Sequence, residues 1–179
     1  NHTYDRHNLF IATTTDPESN VTEYAYDYSS GQVRLFEDAN GFITETTYDG
    51  LDRPTEVEIP DHLGTPANLV TQTEWTYTDT AGAVRIKETQ HLSSATSTDT
   101  YTYFDGLNRP IQSRVEAETS NRFVVSDTEY DANGNVKKES LPYFGTGSSR
   151  TSITTDADLL VTNTYDALDR IKTVVDTEG

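Results

Sequence analysis

The stretch YDGLDRPTEV, residues 48–57, and its near copy FDGLNRPIQS, residues 104–113, decide how this chain is read. Each opens with an aromatic residue and an Asp, passes through turn-forming residues, and reaches Arg53-Pro54 or Arg109-Pro110 before an extended run. An Asp in that place accepts backbone N–H groups two residues on. The steps Asp49-Gly50 and Asp105-Gly106 tolerate positive φ. Pro54 and Pro110 stand at the start of the returning segment, where a strand tolerates a missing N–H. The grammar is that of a strand, a tight turn and a second strand.

Outward from these copies, Tyr-Asp recurs at Tyr4-Asp5, Tyr26-Asp27, Tyr48-Asp49, Tyr130-Asp131 and Tyr165-Asp166. Tyr77-Thr78-Asp79 and Phe104-Asp105 fit the same frame. Taking the aromatic as the start, the spacings are 22, 22, 29, 27, 26 and 35 residues, so the period drifts and loops absorb the insertions. The segments YDANGNVKKE (130–139) and YDALDRIKTV (165–174) repeat the pattern. Asp38-Ala39-Asn40-Gly41 echoes Asp131-Ala132-Asn133-Gly134, which predicts one turn type at both kinds of strand junction.

Between turns the alternation has period two. Thr73, Trp75 and Tyr77 share one face; Val57 and Ile59 alternate with Glu56 and Glu58, and Val84 and Ile86 with Arg85 and Lys87. Ser126, Thr128 and Tyr130 alternate with Asp127 and Glu129. Such strands are half-buried. The runs 123–125 and 159–161 are continuous and are expected to be covered on both sides. Residues 115–122 (VEAETSNR) lack an apolar face and read as a hairpin loop, while 63–68 and 141–151 read as longer loops.

Composition agrees. The chain has 179 residues, 13 Lys and Arg against 30 Asp and Glu, and a net charge of −17. With glycine included, the apolar share is about 39%, below the 45–50% usual for a soluble domain. Eleven Tyr, six Phe and one Trp argue against disorder. Thirty Thr favour strands with a solvated face. The charge repels phosphate backbones, so no nucleic-acid partner is expected. No apolar run is long enough for a helix to span a membrane. The absence of Cys removes disulfides, thiol catalysis and Cys-ligated metals. A chain without Met that opens on Asn1 is expected to be a processed product or a piece of a longer protein.

These repeats resemble the YD repeats of the RHS (rearrangement hotspot) family, over essentially the whole chain. Tyr26-Asp27, Gly31, Asp38-Ala39-Asn40-Gly41 and Tyr48-Asp49 give the fullest match, and ESLPYF (139–144) resembles a stretch of large secreted bacterial members. The Gly and Arg of the family pattern are replaced at Asn8, Asp52 and Asn108. Asp16-Pro17 lacks the setting of the family's self-cleavage motif. The resemblance implies an all-β array of antiparallel hairpins that forms a curved strip, part of a spiral shell. In bacterial toxin complexes and polymorphic toxins such a shell encloses a toxic polypeptide; in teneurins a similar shell serves cell–cell adhesion.

The chain is accordingly expected to be a single repeat module over 1–179, secreted or at the cell surface, with the rest of a parent shell and its polypeptide cargo as partners. Tyr4, Asp5, Tyr26, Asp27, Tyr48, Asp49, Tyr77, Asp79, Phe104, Asp105, Tyr130, Asp131, Tyr165 and Asp166 are then structural, since an active site needs one constellation and not seven copies. No catalytic residue, cofactor or metal is expected: His2, His7, His62 and His91 lack ligand spacing, and no phosphate-binding or nucleophile motif occurs. A second reading is a carbohydrate-binding or adhesion module, with Trp75, Tyr77, Tyr101 and Tyr103 stacking on sugars. The bland reading of those rings is cross-strand pairing. A third reading, an acid-pair glycosidase, has no pair singled out. A strip with two open edges is expected to self-associate edge to edge or to block its edges with loops and charges.

Overall fold

A computed structural model describes residues 1–61 and 68–176. His62 and residues 63–67 of the expected loop lie outside the described residues. The chain is all-β and antiparallel, with fifteen described strands and one 3-10 turn, Ala157–Leu159. It divides into two compact units, Asn1–Trp75 with Gln90–Ser97, and Thr76–Thr89 with Thr98–Gly179.

In the first unit the strands are β1 (His2–Tyr4), β2 (Ile11–Thr15), β3 (Val21–Tyr26), β4 (Val33–Glu37), β5 (Ile43–Tyr48), β6 (Pro54–Pro60) and most of β7 (Leu69–Thr78), paired in that order as an open sheet. The second unit contains most of β8 (Arg85–Ser93) and β9 (Thr96–Phe104). It continues through β10 (Pro110–Glu116), β11 (Arg122–Tyr130), β12 (Val136–Ser140), β13 (Tyr143–Thr146), β14 (Leu160–Tyr165) and β15 (Ile171–Val175). From β9 the order runs β9, β10, β11, β12, β14, β15, with β13 beside β11.

The turns explain the register. After each Tyr-Asp, the Asp N–H and carbonyl close the turn on the backbone: Asp49 N donates to Arg53 O at 2.9 Å, and Asp52 N to Asp49 O at 3.0 Å. Asp105 and Asp166 repeat this with Arg109 and Arg170, and Asp38 and Asp131 with Phe42 and Asn135, so one turn type does serve both strand junctions. The side-chain Oδ1 accepts two further N–H groups: from Leu51 and Arg53 at Asp49, from Leu107 and Arg109 at Asp105, from Leu168 and Arg170 at Asp166.

The left-handed residue is not the Gly after the Asp. It is the third residue after the Asp: Asn8, Asp52, Asn108 and Asp169, with φ from 56° to 60°, or Gly41 and Gly134. This corrects the expectation for Gly50 and Gly106. A type I turn closed by one left-handed residue leaves a bulge, and Asn and Asp tolerate that conformation better than other side chains. The ladder register shifts at the aromatic accordingly, between Thr47 and Tyr48, Glu129 and Tyr130, and Thr164 and Tyr165. Pro54 and Pro110 open β6 and β10 opposite Tyr48 and Phe104, as expected.

Three other expectations are revised. Residues 141–151 hold strand β13, which pairs Tyr143–Thr146 with the first half of β11 while β12 pairs with its second half. Val124 and residues 160–161 are only half-buried. On β11 the buried face carries Phe123, Val125 and Asp127, not Ser126 and Thr128. β7 alternates as read, with Thr73, Trp75 and Tyr77 on its half-buried face. Residues 117–121 form the hairpin loop expected between β10 and β11. No helix of the described residues is long and apolar enough to cross a membrane.

Candidate functional site

The Tyr-Asp motifs occupy equivalent places and link successive hairpins. Tyr48 Oη donates to the carbonyl of Val33 at 2.8 Å, and Val33 pairs with Tyr26 of the preceding motif. Tyr130 Oη reaches Pro110 O at 3.1 Å, the partner of Phe104. Tyr165 Oη reaches Val136 O at 2.7 Å, the partner of Tyr130. Each tyrosine thus finds the residue opposite the aromatic before it. Phe104 has no hydroxyl, and its N–H bonds Val84 O. Tyr26 stacks on Phe10 with ring centroids 4.6 Å apart, and Arg109 lies 4.3 Å over the Tyr130 ring. Tyr4 is exposed, Tyr77 is half-buried, and Asp79 precedes a turn closed by Ala83 N on Thr80 O that contains the left-handed Gly82.

Where the turn ends in Arg, its guanidinium grips the carboxylate. Arg53, Arg109 and Arg170 each place Nε and Nη2 at 2.8 and 2.7 Å from Oδ2 of Asp49, Asp105 and Asp166. The Arg53 guanidinium beside Asp49 and the Arg170 guanidinium beside Asp166 hold those carboxyls below the usual Asp range. At Asp105 the Arg109 N–H, then its guanidinium, does the same. A general acid needs the opposite shift, and each of these carboxylates is held by N–H groups and a guanidinium of its own turn.

The side chains that sequence reasoning missed lie in the second unit. Arg114 is 1% exposed, Asp127 2% and Gln112 3%, beside the apolar cluster Tyr101, Tyr103, Phe123 and Val125. Gln112 and Arg114 sit two apart on β10, so both face the same way as Val125 and Asp127 on β11. Arg114 Nε donates to Gln112 Oε1 at 2.9 Å, and Gln112 Nε2 to Asp127 Oδ1 at 2.6 Å. The amide therefore relays between the two buried charges.

The segment 147–156 crosses above this row as a strap. Arg114 Nη1 donates to Gly147 O at 2.8 Å and Thr146 O at 3.3 Å, and Nη2 to Thr151 Oγ1 at 2.7 Å. Asp127 Oδ2 accepts Tyr143 Oη at 2.7 Å and Thr154 N at 3.1 Å. Burial, then the hydrogen bond to Asp127, pushes the Tyr143 phenol up to about 12. Gly145 passes so close that an added Cβ would stand 2.9 Å from Val125 Cγ2. The sequence signal was the arginine within β10, and the strap residues it bonds are 32 to 37 positions away.

The rings proposed for sugar stacking are placed as follows. Tyr101 is 9% exposed and meets Phe123 edge-on at 6.0 Å; Tyr103 is 4% exposed and its hydroxyl donates to Ser148 O beneath the strap. Trp75 and Tyr77 are half-buried. The described residues include an open groove of about 460 Å³ along Arg34, Glu45 and Asp49, and another of about 390 Å³ beside Arg109, Tyr130 and Arg150. Among the described residues no group of three or more His, Asp or Glu side chains gathers at a site for a metal ion.

Comparison with known structures places this architecture. The crystal structure of TcdB2-TccC3 matches with a TM-score of 0.79 at 18% identity, covering 99% of this chain and 11% of that one. Those of TcdB2-TccC3-Cdc42 and TcdB2-TccC3-TEV match with TM-scores of 0.80 at 14% identity, again covering 99% of this chain and 14% of theirs. The chain thus spans a small part of the length of these structures, and the likeness is one of fold, an RHS-like hairpin array. No curated protein sequence matches. The family model described as "Domain of unknown function (DUF6443)" matches residues 73–175, more than half of the sequence, and the chain belongs to that family.

Proposed function

We propose that this chain is a non-catalytic wall segment of a larger secreted shell that encloses a polypeptide cargo. The observation that carries the reading is the link from three of the Tyr-Asp motifs, at Tyr48, Tyr130 and Tyr165, to the residue opposite the previous aromatic. This device registers hairpins along a strip of any length and uses no substrate-facing group. The shared fold with a small portion of TcdB2-TccC3 supports a segment repeated within a much longer wall.

The test is made on the full-length protein. Electron microscopy is expected to show a closed hollow wall, and limited proteolysis an internal segment that becomes cleavable only when the wall is opened by denaturant. An open, extended particle whose every segment is cleaved at one rate would refute the reading.

A further inference from the structure

The strap is held almost entirely through its backbone. Tyr103 Oη donates to Ser148 O, and Arg114 to the carbonyls of Thr146 and Gly147. The Gln112 amide makes a two-point contact with residue 151, donating Nε2 to Thr151 O at 3.2 Å and accepting Thr151 N at 3.0 Å. Asp127 accepts the N–H of Thr154. The strap's own contribution to these bonds is Thr151 Oγ1, which Arg114 and Gln112 share. An amide side chain that pairs with both polar groups of one residue reads a backbone as a neighbouring strand does, without regard to side chain.

Two further features mark an occupant more than a layer of core. Ser149, Arg150, Thr151 and Ser152 are exposed, so the strap is bonded from beneath and open to water above. The groups below it are held to one another, Arg114 through Gln112 to Asp127, and Arg114 turns both of its terminal nitrogens toward the strap. We propose that Tyr103, Gln112, Arg114 and Asp127 form a binding site for an extended peptide backbone, filled in cis by residues 147–154, and that a second extended segment with small residues can take the strap's place. The small residues are those of the present occupant, Gly147, Ser148, Ser149, Thr151 and Ser152. This site is independent of the shell reading, since it concerns one face of β10 and β11 and not what the wall encloses.

The test uses the full chain with a specific protease site inserted between the exposed Ser149 and Arg150. After cleavage, a fluorescent peptide of residues 145–155 (GTGSSRTSITT) is titrated and its anisotropy read. Saturable binding is expected, with a peptide of the same composition in scrambled order within about tenfold in affinity. A peptide with Pro at the Thr151 position lacks that N–H and is expected to lose at least about tenfold. The uncut chain is expected to bind far more weakly, because its tethered strap competes at high effective concentration. Arg114→Met in the cut protein is expected to abolish binding.

Failure of a folded, cut protein to bind at about 1 mM peptide would overturn the proposal. So would unfolding on cleavage, which makes the strap part of the core, or binding indifferent to both the Pro peptide and Arg114→Met. Hydrogen exchange on the intact chain gives an independent reading. The amides of Thr151 and Thr154 are expected to exchange through local opening, faster than those of β10 and β11; equal protection would overturn the proposal too.

Discussion

Replacing Arg114 with Met keeps most of the stem that packs under the strap and removes the guanidinium. Four hydrogen bonds go with it, to Gln112 Oε1, Thr146 O, Gly147 O and Thr151 Oγ1. A hydrogen bond to a charged group contributes about 1.5–3 kcal/mol, and a buried acceptor left alone costs about 1–3 kcal/mol. These terms do not add in full. Gln112 Oε1 keeps the N–H of Thr151, and the exposed upper side of the strap lets water reach Thr151. The two carbonyls and the unrelieved charge of Asp127 remain, which puts the loss at about 3–4 kcal/mol. For a chain of this length that lowers the thermal midpoint by roughly 6–16 °C. The sole Trp, Trp75, belongs to the other unit, so its fluorescence is the wrong probe. Urea unfolding followed by tyrosine near-ultraviolet dichroism, with hydrogen exchange read in β9–β11, reports on the right unit. Arg150→Met, at an exposed position of the same strap, is the control and is expected to change stability by less than about 0.5 kcal/mol. If both variants shift the transition equally, the buried guanidinium is not what holds the strap.

Gly145→Ala forces a Cβ to within 2.9 Å of Val125 Cγ2 and is expected to cost about 1–3 kcal/mol in urea unfolding. Gly50→Ala meets nothing within 4 Å at an ordinary φ, and is expected to be neutral or stabilising by up to about 1 kcal/mol. Tyr165→Phe removes the bond to Val136 O and is expected to cost about 1 kcal/mol, loosening the β12–β14–β15 amides in hydrogen exchange. The carboxyls of Asp49, Asp105 and Asp166 lie below their unfolded value when folded, so they stabilise above about pH 4 and that contribution is lost as pH falls through the folded pKa values. An acid titration by dichroism is expected to show stability falling below about pH 4, and Asp105→Asn is expected to flatten part of that slope; a profile that rises toward acid would contradict the turn assignment.

What the sequence made legible is what is local. An Asp that accepts N–H groups two and four residues on writes its turn into a window of five residues, and seven repetitions of the window make the hairpins visible before any pairing is known. Even there one detail was hidden. Gly50 and Gly106 looked like the left-handed positions because glycine adopts positive φ freely, yet the turn places that conformation two residues later, on Asp52 and Asn108. The polar row was illegible for the converse reason. Apart from the bond between Arg114 and Gln112, the side chains of Gln112, Arg114 and Asp127 meet partners between 15 and 39 residues away, and their alternation along β10 and β11 reads as a solvated face. Pro142, Gly145 and Gly147 spelled a loop, although Gly145 is needed for a close approach inside a strand.

The thin apolar share then has a structural meaning. Among the described residues of the first unit none is fully buried, and its aromatics Phe10, Tyr24, Tyr26 and Phe36 form a half-exposed ladder along one sheet. In that unit the order comes from turns, ladders and ring-to-ring contacts, each of them local or between neighbouring hairpins. The second unit does bury a cluster, and it does so by adding a strand and a strap over one face. Covering a sheet face with a backbone segment buries peptide groups that need partners. A purely apolar face would leave the carbonyls of residues 146–148 and the N–H groups of 151 and 154 without partners. Gln112, Arg114, Asp127 and Tyr103 are the groups that meet them. The buried charges are thus a consequence of burying backbone.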